Sequence, residues 1–123
     1  MAITVLLAED NDPVRKIIAR LLNGDREIQL IAEATDVPQT IQLIKDLQPD
    51  IVVMDLHLGH NPVTSFNAES HLPNGRLLAI SLWVGPEAVA IADNIGAVIL
   101  LDKSELYTEL VPAIKLYASR ARD

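Results

Sequence analysis

Five short apolar runs punctuate the chain: "ITVLLA" at 3–8, "IQLIAEA" at 28–34, "IVVM" at 51–54, "LLAIS" at 77–81 and "AVILL" at 97–101. Continuous runs of this kind are the pattern of strands buried on both faces, whereas half-exposed strands alternate. The second run alternates, with Ile28, Leu30, Ala32 and Ala34 expected on one side, as in an edge strand. Helical spacing fills the gaps. Val14, Ile17, Ile18, Leu21 and Leu22 fall at the i, i+3, i+4, i+7, i+8 positions of one helix face. Asp12 is expected to cap that helix, with Pro13 at its first position and Gly24 after its end.

A second helix is predicted from Val37, Ile41, Ile44 and Leu47, capped by Asp36 and stopped by "QP" at 48–49. The stretch 61–75 allows only a short helix around Val63 to His71 before "PNG" turns the chain. A fourth carries Ala88, Ile91, Ala92 and Ile95, entered through "GPE" and closed by Gly96. The last carries Leu106, Leu110, Ile114 and Tyr117, and Pro112 inside it is expected to kink or split it. Strands alternating with helices predict one α/β domain over residues 1–123: a parallel sheet, right-handed crossovers, and helices on both faces. The ending "YASRARD" reads as a charged tail that begins a linker.

Composition narrows the function classes. The chain has 123 residues, half of them apolar, with one Trp, two Tyr and one Phe, so its core must be aliphatic. It has no cysteine, which removes disulfides and thiolate metal sites and fits a reducing cytoplasm. The start lacks a basic leader, so no signal peptide is expected, and no apolar stretch approaches the roughly 20 residues of a membrane span. A net charge of −7 opposes nucleic-acid binding by this domain's own surface and suits a protein or cation partner.

The chemistry lies at the strand ends. The first run ends in Glu9 and Asp10, the third in Asp55, the fourth in Ser81, and Lys103 follows the fifth. In a parallel sheet these ends share one edge, and ligands bind there where the strand order reverses. A flavodoxin-like order, 2-1-3-4-5, brings Glu9, Asp10 and Asp55 together with Ser81 and Lys103 alongside. Three converging carboxylates repel, so a pKa must rise or a cation must bind. Hard oxygen donors favour magnesium, whose shell is commonly shared with phosphate. Asp55 is then a candidate nucleophile toward a phosphoryl group, with Lys103 pairing an equatorial oxygen. Each residue alone has a plainer reading: Lys103 solvated, Ser81 and Asp55 in turns, Glu9-Asp10 capping the first helix. Their convergence carries the argument.

His57, His60 and His71 read as solvated loop histidines. "HLGH" has i, i+3 spacing, but Gly59 and Pro62 oppose the helix a zinc clasp needs. Trp83 reads as a partly buried packing residue near the site, or else as a partner anchor.

"VLLAEDNDPVRKIIARLL", "PDIVVMDLHL", "LLAIS" and "GAVILLDKSELYTELVPAI" together resemble the receiver domains of bacterial two-component response regulators, most of all those preceding a LuxR-type DNA-binding domain. The resemblance implies that Glu9 and Asp10 are the acidic metal pair and Asp55 the phosphoacceptor. It makes the His57 backbone carbonyl a further magnesium ligand, Ser81 the switch hydroxyl and Lys103 the phosphate-pairing lysine. It implies a cytoplasmic signalling protein with a sensor histidine kinase or phosphotransfer protein as partner, and a second copy of the chain as a candidate one. A DNA-binding effector domain would lie outside this sequence. The chain would be no enzyme toward external substrates, but a phosphoacceptor taking part in its own phosphorylation and dephosphorylation.

Four features depart from the family pattern. Leu100 stands where an aromatic residue is usual, Leu82 and Trp83 follow the switch hydroxyl in place of a small residue, "LG" replaces "MP" at 58–59, and the segment before the fourth strand is short. Two further functions therefore stand beside the switch. A receiver-like interaction module without switching would bind its partner whatever the state of Asp55. An aspartate-nucleophile phosphatase would need a general acid two residues past Asp55, where His57 stands.

Overall fold

Each apolar run becomes a strand because both of its faces have somewhere to be buried. In the computed structural model, which describes residues 2–122 and side chains through residue 119, the strands are β1 (Ile3–Ala8), β2 (Ile28–Ala34), β3 (Ile51–Asp55), β4 (Arg76–Ser81) and β5 (Ile99–Asp102). They alternate with α1 (Asp12–Asn23), α2 (Val37–Leu47), α3 (Ala68–His71), α4 (Pro86–Ile95) and α5 (Leu106–Arg122), the last preceded by a 3-10 turn at Lys103–Glu105. All pairings are parallel and the order is β2-β1-β3-β4-β5. The strand order reverses at β1, whose two neighbours are β2 and β3. Among the described residues, no helix is long and apolar enough to cross a membrane.

The sheet separates two aliphatic cores. Val5, Leu7, Ile51, Val53, Leu78, Ile80 and Leu101 face α1 and α5, meeting Ile18, Leu22, Leu110 and Ile114. Leu6, Ala8, Val52, Met54, Leu77 and Ala79 face the other way, against Ile44 of α2 and Ala92 and Ile95 of α4. This two-sided burial is why the central strands do not alternate.

Several expectations shift in detail. β2 does not keep one face: a bulge skips Ile31, pairing Val5 with Leu30 but Leu6 with Ala32. Ile28 and Leu30 therefore join the α1/α5 core, whereas Ala32 and Ala34 join the other. The cap of α1 is Asn11, not Asp12: Asn11 is extended and its Oδ1 accepts the Val14 N–H at 3.0 Å, so Asp12 and Pro13 become the first two helical residues. The short third helix shrinks to the single turn of α3. β5 starts two residues later than the apolar run and takes in Asp102.

Pro112 does not split α5, which runs through it to Arg122. Pro112 and Thr108 lie on the exposed side, so the carbonyl that loses its bond faces water, while Leu110, Ala113 and Ile114 hold both halves to the sheet. The charged ending is accordingly helical as far as Arg122; the side chains of residues 120–122 and all of Asp123 lie outside the described residues.

Gly96 ends α4 at φ 82°, and a Cβ there would come within 3.1 Å of the Ala68 Cβ. Gly96→Ala therefore loses about 1–2 kcal/mol of stability, seen as a lower urea midpoint at unchanged slope.

Candidate functional site

Strand period and register build the site. Val5 and Leu7 face α1/α5, so Glu9 continues that face; Ile51 and Val53 do the same for Asp55, and Ile99 and Leu101 for Lys103. Pairing of Ala8 with Met54 sets Glu9 beside Asp55, and pairing of Ser81 with Asp102 sets Lys103 one step beyond Ser81. Glu9, Asp10 and Asp55 each offer a carboxylate oxygen, all within 4.8 Å of one another. Lys103 closes the group: its Nζ lies 2.6 Å from Glu9 Oε1 and 3.3 Å from Asp55 Oδ2.

Burial makes these charges matter. Glu9 is fully buried and Asp55 is 6% exposed. Burial pushes the Glu9 carboxyl above its ordinary 4.5; contact with Lys103 opposes the rise, and the Asp55 charge adds to it. Burial alone would depress the Lys103 ammonium, but its contacts with Glu9 and the charge of Asp55 leave it above the ordinary 10.5. At 2.6 Å the ammonium is an ion-pair partner of Glu9 Oε1, yet this buried oxygen receives no well-directed hydrogen bond and keeps acceptor capacity. An oxygen-only cluster with an under-satisfied buried carboxylate fits a hard divalent cation.

The loops hold the carboxylates in place. Glu9 Oε2 accepts the Asn11 N–H at 3.1 Å, and Asp55 Oδ1 accepts the His57 N–H at 3.1 Å. Asp10 Oδ2 accepts the Gly59 N–H at 3.2 Å, which ties the β1–α1 loop to the turn after β3. That turn is not helical, as Gly59 and Pro62 implied: the His57 carbonyl accepts the His60 N–H at 2.9 Å and retains a second lone pair. Glu9 and Asp10 do not cap α1.

Ser81 stands buried at the end of β4, but on the α2/α4 side, because it continues Leu77 and Ala79. Among the described residues its Oγ accepts the Trp83 N–H at 3.2 Å and makes no hydrogen bond to Asp55. Leu82 and Trp83 are 62% and 73% exposed, so Trp83 is not the partly buried packing residue its apolar ring suggested. Leu100 is half-buried against the α2/α4 core. Of the histidines, only His60 is fully solvated, 3.5 Å from Asp10 Oδ2; His57 is half-buried, and His71 stacks on Phe66 at 5.1 Å.

Arg15 was invisible as a site residue in the sequence. It bridges Asp12, Glu33 and the Glu9 carbonyl. Its i, i+3 spacing from Asp12 was the one local signal available.

Fold and site together define a flavodoxin-like α/β domain with an acidic, lysine-closed crevice where the strand order reverses. The chain belongs to the response regulator receiver domain family, which matches residues 5–115. It is similar to the signal receiver domain of the response regulator NarL from Mycobacterium tuberculosis, at 27% identity and a TM-score of 0.85 over 96% of this chain and 97% of that one. A LuxR-family two-component response regulator from Aurantimonas sp. SI85-9A1 aligns at 28% identity and a TM-score of 0.84, over 98% of this chain and 87% of that one. A protein-glutamate methylesterase/protein-glutamine glutaminase from Syntrophomonas wolfei is 28% identical over 96% of this chain, which spans 37% of that relative's length. This is a receiver domain of a two-component response regulator.

Proposed function

We propose that the chain is a phosphoacceptor switch in which Asp55 takes a phosphoryl group from a sensor histidine kinase or a phosphotransfer protein. The observation that carries this reading is the placement of a buried carboxylate 3.3 Å from a lysine amine, beside two further carboxylates. An Asp55 oxygen attacks phosphorus, the donor's P–N bond breaks, and the leaving imidazole takes a proton. Lys103 is placed to leave Glu9 for the new phosphoryl oxygens, and Glu9, Asp10, Asp55 and the His57 carbonyl would hold magnesium. When bound, magnesium supplies the positive charge that transferring phosphoryl oxygens require. Incubation with magnesium and a small phosphodonor tests the reading, through the mass of one added phosphoryl group located on Asp55.

Output runs through the β4–α4 loop. If Ser81 turns its hydroxyl toward the phosphoryl group, Trp83 loses its amide partner and the loop ahead of α4 is released. Beryllofluoride with magnesium therefore changes Trp83 fluorescence in the parent chain, and Ser81→Ala reduces that change while leaving Asp55 able to accept phosphoryl. An equal change in both proteins removes Ser81 from the relay. A partner that prefers the phosphorylated state tenfold needs only about 1.4 kcal/mol of difference between the states.

The second reading, an interaction module without switching, is favoured by one feature. Leu100 offers no ring to reorient in β5. Its signature is partner binding unaltered by Asp55→Ala or by chelation. We further propose that the 123 residues form one domain acting on no external substrate, located in the cytoplasm.

A further inference from the structure

Resting on the metal-binding reading above, we propose that Arg15 is a positioning residue for the dication site, acting through the peptide that joins Glu9 to Asp10. Its guanidinium spends all three nitrogens on three different segments. Nη1 donates to the Glu9 carbonyl at 3.1 Å, Nη2 pairs with Asp12 Oδ1 at 2.6 Å, and Nε pairs with Glu33 Oε1 at 3.2 Å. The side chain is only 16% exposed, whereas Asp12 and Glu33 are 69% and 42% exposed. The two outer pairs are surface pairs of small worth in themselves. Their effect is to aim the fork.

The Glu9 carbonyl belongs to the planar peptide unit whose N–H is that of Asp10. Fixing the carbonyl direction fixes the plane from which the Asp10 side chain departs. The neighbouring backbone is held as well: the Glu9 N–H donates to the Ala34 carbonyl at 3.0 Å, and the Arg15 N–H donates to the Asn11 carbonyl at 2.8 Å. Arg15 thus supplies a side-chain tether to the backbone of a loop that must keep two mutually repelling carboxylates convergent. Glu33, the residue before Ala34, anchors the same guanidinium to β2.

The proposal has a sign that plain electrostatics does not share. A guanidinium near an acidic cluster repels a dication, so if Arg15 mattered only as a charge, removing it would strengthen magnesium binding. As a tether, its removal weakens binding, by about the tenfold or more typical when a partner orienting a metal ligand is lost. Arg15→Lys separates the two roles, because it keeps the charge and loses the fork.

Magnesium titration of the full chain, by calorimetry and by Trp83 fluorescence, is the test, with Arg15→Gln, Arg15→Lys and Glu33→Gln beside the parent. Weaker binding by about tenfold is expected for both Arg15 variants, with a smaller loss in the same direction for Glu33→Gln. Glu33→Gln also removes a negative charge, which by itself weakens dication binding. Its loss of affinity therefore counts for the tether only where it persists in about 1 M salt, with a Debye length of about 3 Å. With an unchanged metal-free urea midpoint, this exposed change keeps the test open if the Arg15 variants fold poorly. Unchanged or tighter binding by Arg15→Gln and Glu33→Gln overturns the proposal alone. A parent chain that binds no magnesium overturns the metal reading, and this inference falls with it.

Discussion

Asp55→Asn accepts no phosphoryl group from a small phosphodonor in magnesium buffer, while the parent chain accepts one. An amide oxygen is a far weaker nucleophile than a carboxylate, and no other carboxylate stands in the same place. Glu9 is fully buried, with one oxygen on the Asn11 amide and the other on Lys103. Asp10 is turned to the Gly59 amide. The substitution is isosteric and removes one of three clustered negative charges, so the variant stays folded. Asp55 helps to raise the Glu9 carboxyl, a cost its loss relaxes, and helps to raise the Lys103 ammonium, a gain its loss removes. The metal-free variant therefore stays close to the parent in stability near neutral pH. Intact-protein mass, peptide mapping and a urea titration check the three statements together. Labelling that persists at another residue in Asp55→Asn would end the phosphoacceptor assignment.

How much of this is legible in the sequence follows from which forces are local. Two-sided burial writes itself into a chain as unbroken apolar runs, so the five strands could be found, and the helices followed from their 3.6-residue faces. The site was legible for the same reason. Residues 5, 7 and 9, then 51, 53 and 55, then 99, 101 and 103 are the same face of three strands, and the polar member closes each series at its carboxyl end. Register, which no single strand encodes, becomes visible in the pairing of Ala8 with Met54.

What stayed hidden depends on partners distant in the chain or on competition between neighbours. The bulge at Ile31 arises from how β2 pairs with β1, and simple alternation gives no hint of it. Asn11 and Asp12 are both good caps; Asn11 takes that place, and Asp12 pairs with Arg15 within the first turn. Pro112 is tolerated because its side of α5 faces water, which depends on where the helix lies on the sheet. Trp83 reads as a packing residue by type, yet it sits in a loop whose geometry is set by its own amide on Ser81. Arg15 needed Glu33 and the Glu9 carbonyl, and neither contact leaves a spacing signal.

Lys103→Met is expected to be the most destabilising change at the site. Removing the amine leaves Glu9, Asp10 and Asp55 converging without their counter-charge, a loss of roughly 3 kcal/mol at neutral pH. The pH dependence identifies the cause. A carboxyl whose pKa is raised on folding costs stability above its unfolded value of 4.5, and the cost grows as pH rises through its folded value. Lys103 lowers the Glu9 value, so without it the folded value climbs further and the cost widens. The difference between parent and variant should therefore be large near neutrality and shrink on acidification toward 4.5, as Glu9 takes up its proton. At the alkaline end the raised Lys103 contributes stability that is full below 10.5 and lost as pH rises through its folded value, and the variant lacks that limb. Magnesium replaces the missing counter-charge, so it should stabilise the variant more than the parent, by mass action on the folded state alone. Urea midpoints across the pH range, with and without magnesium, read both effects. A parent–variant difference that stays constant from acid to neutral pH would mean that Lys103 stabilises the fold through its packed stem, and that the carboxylates do not depend on it for neutralisation.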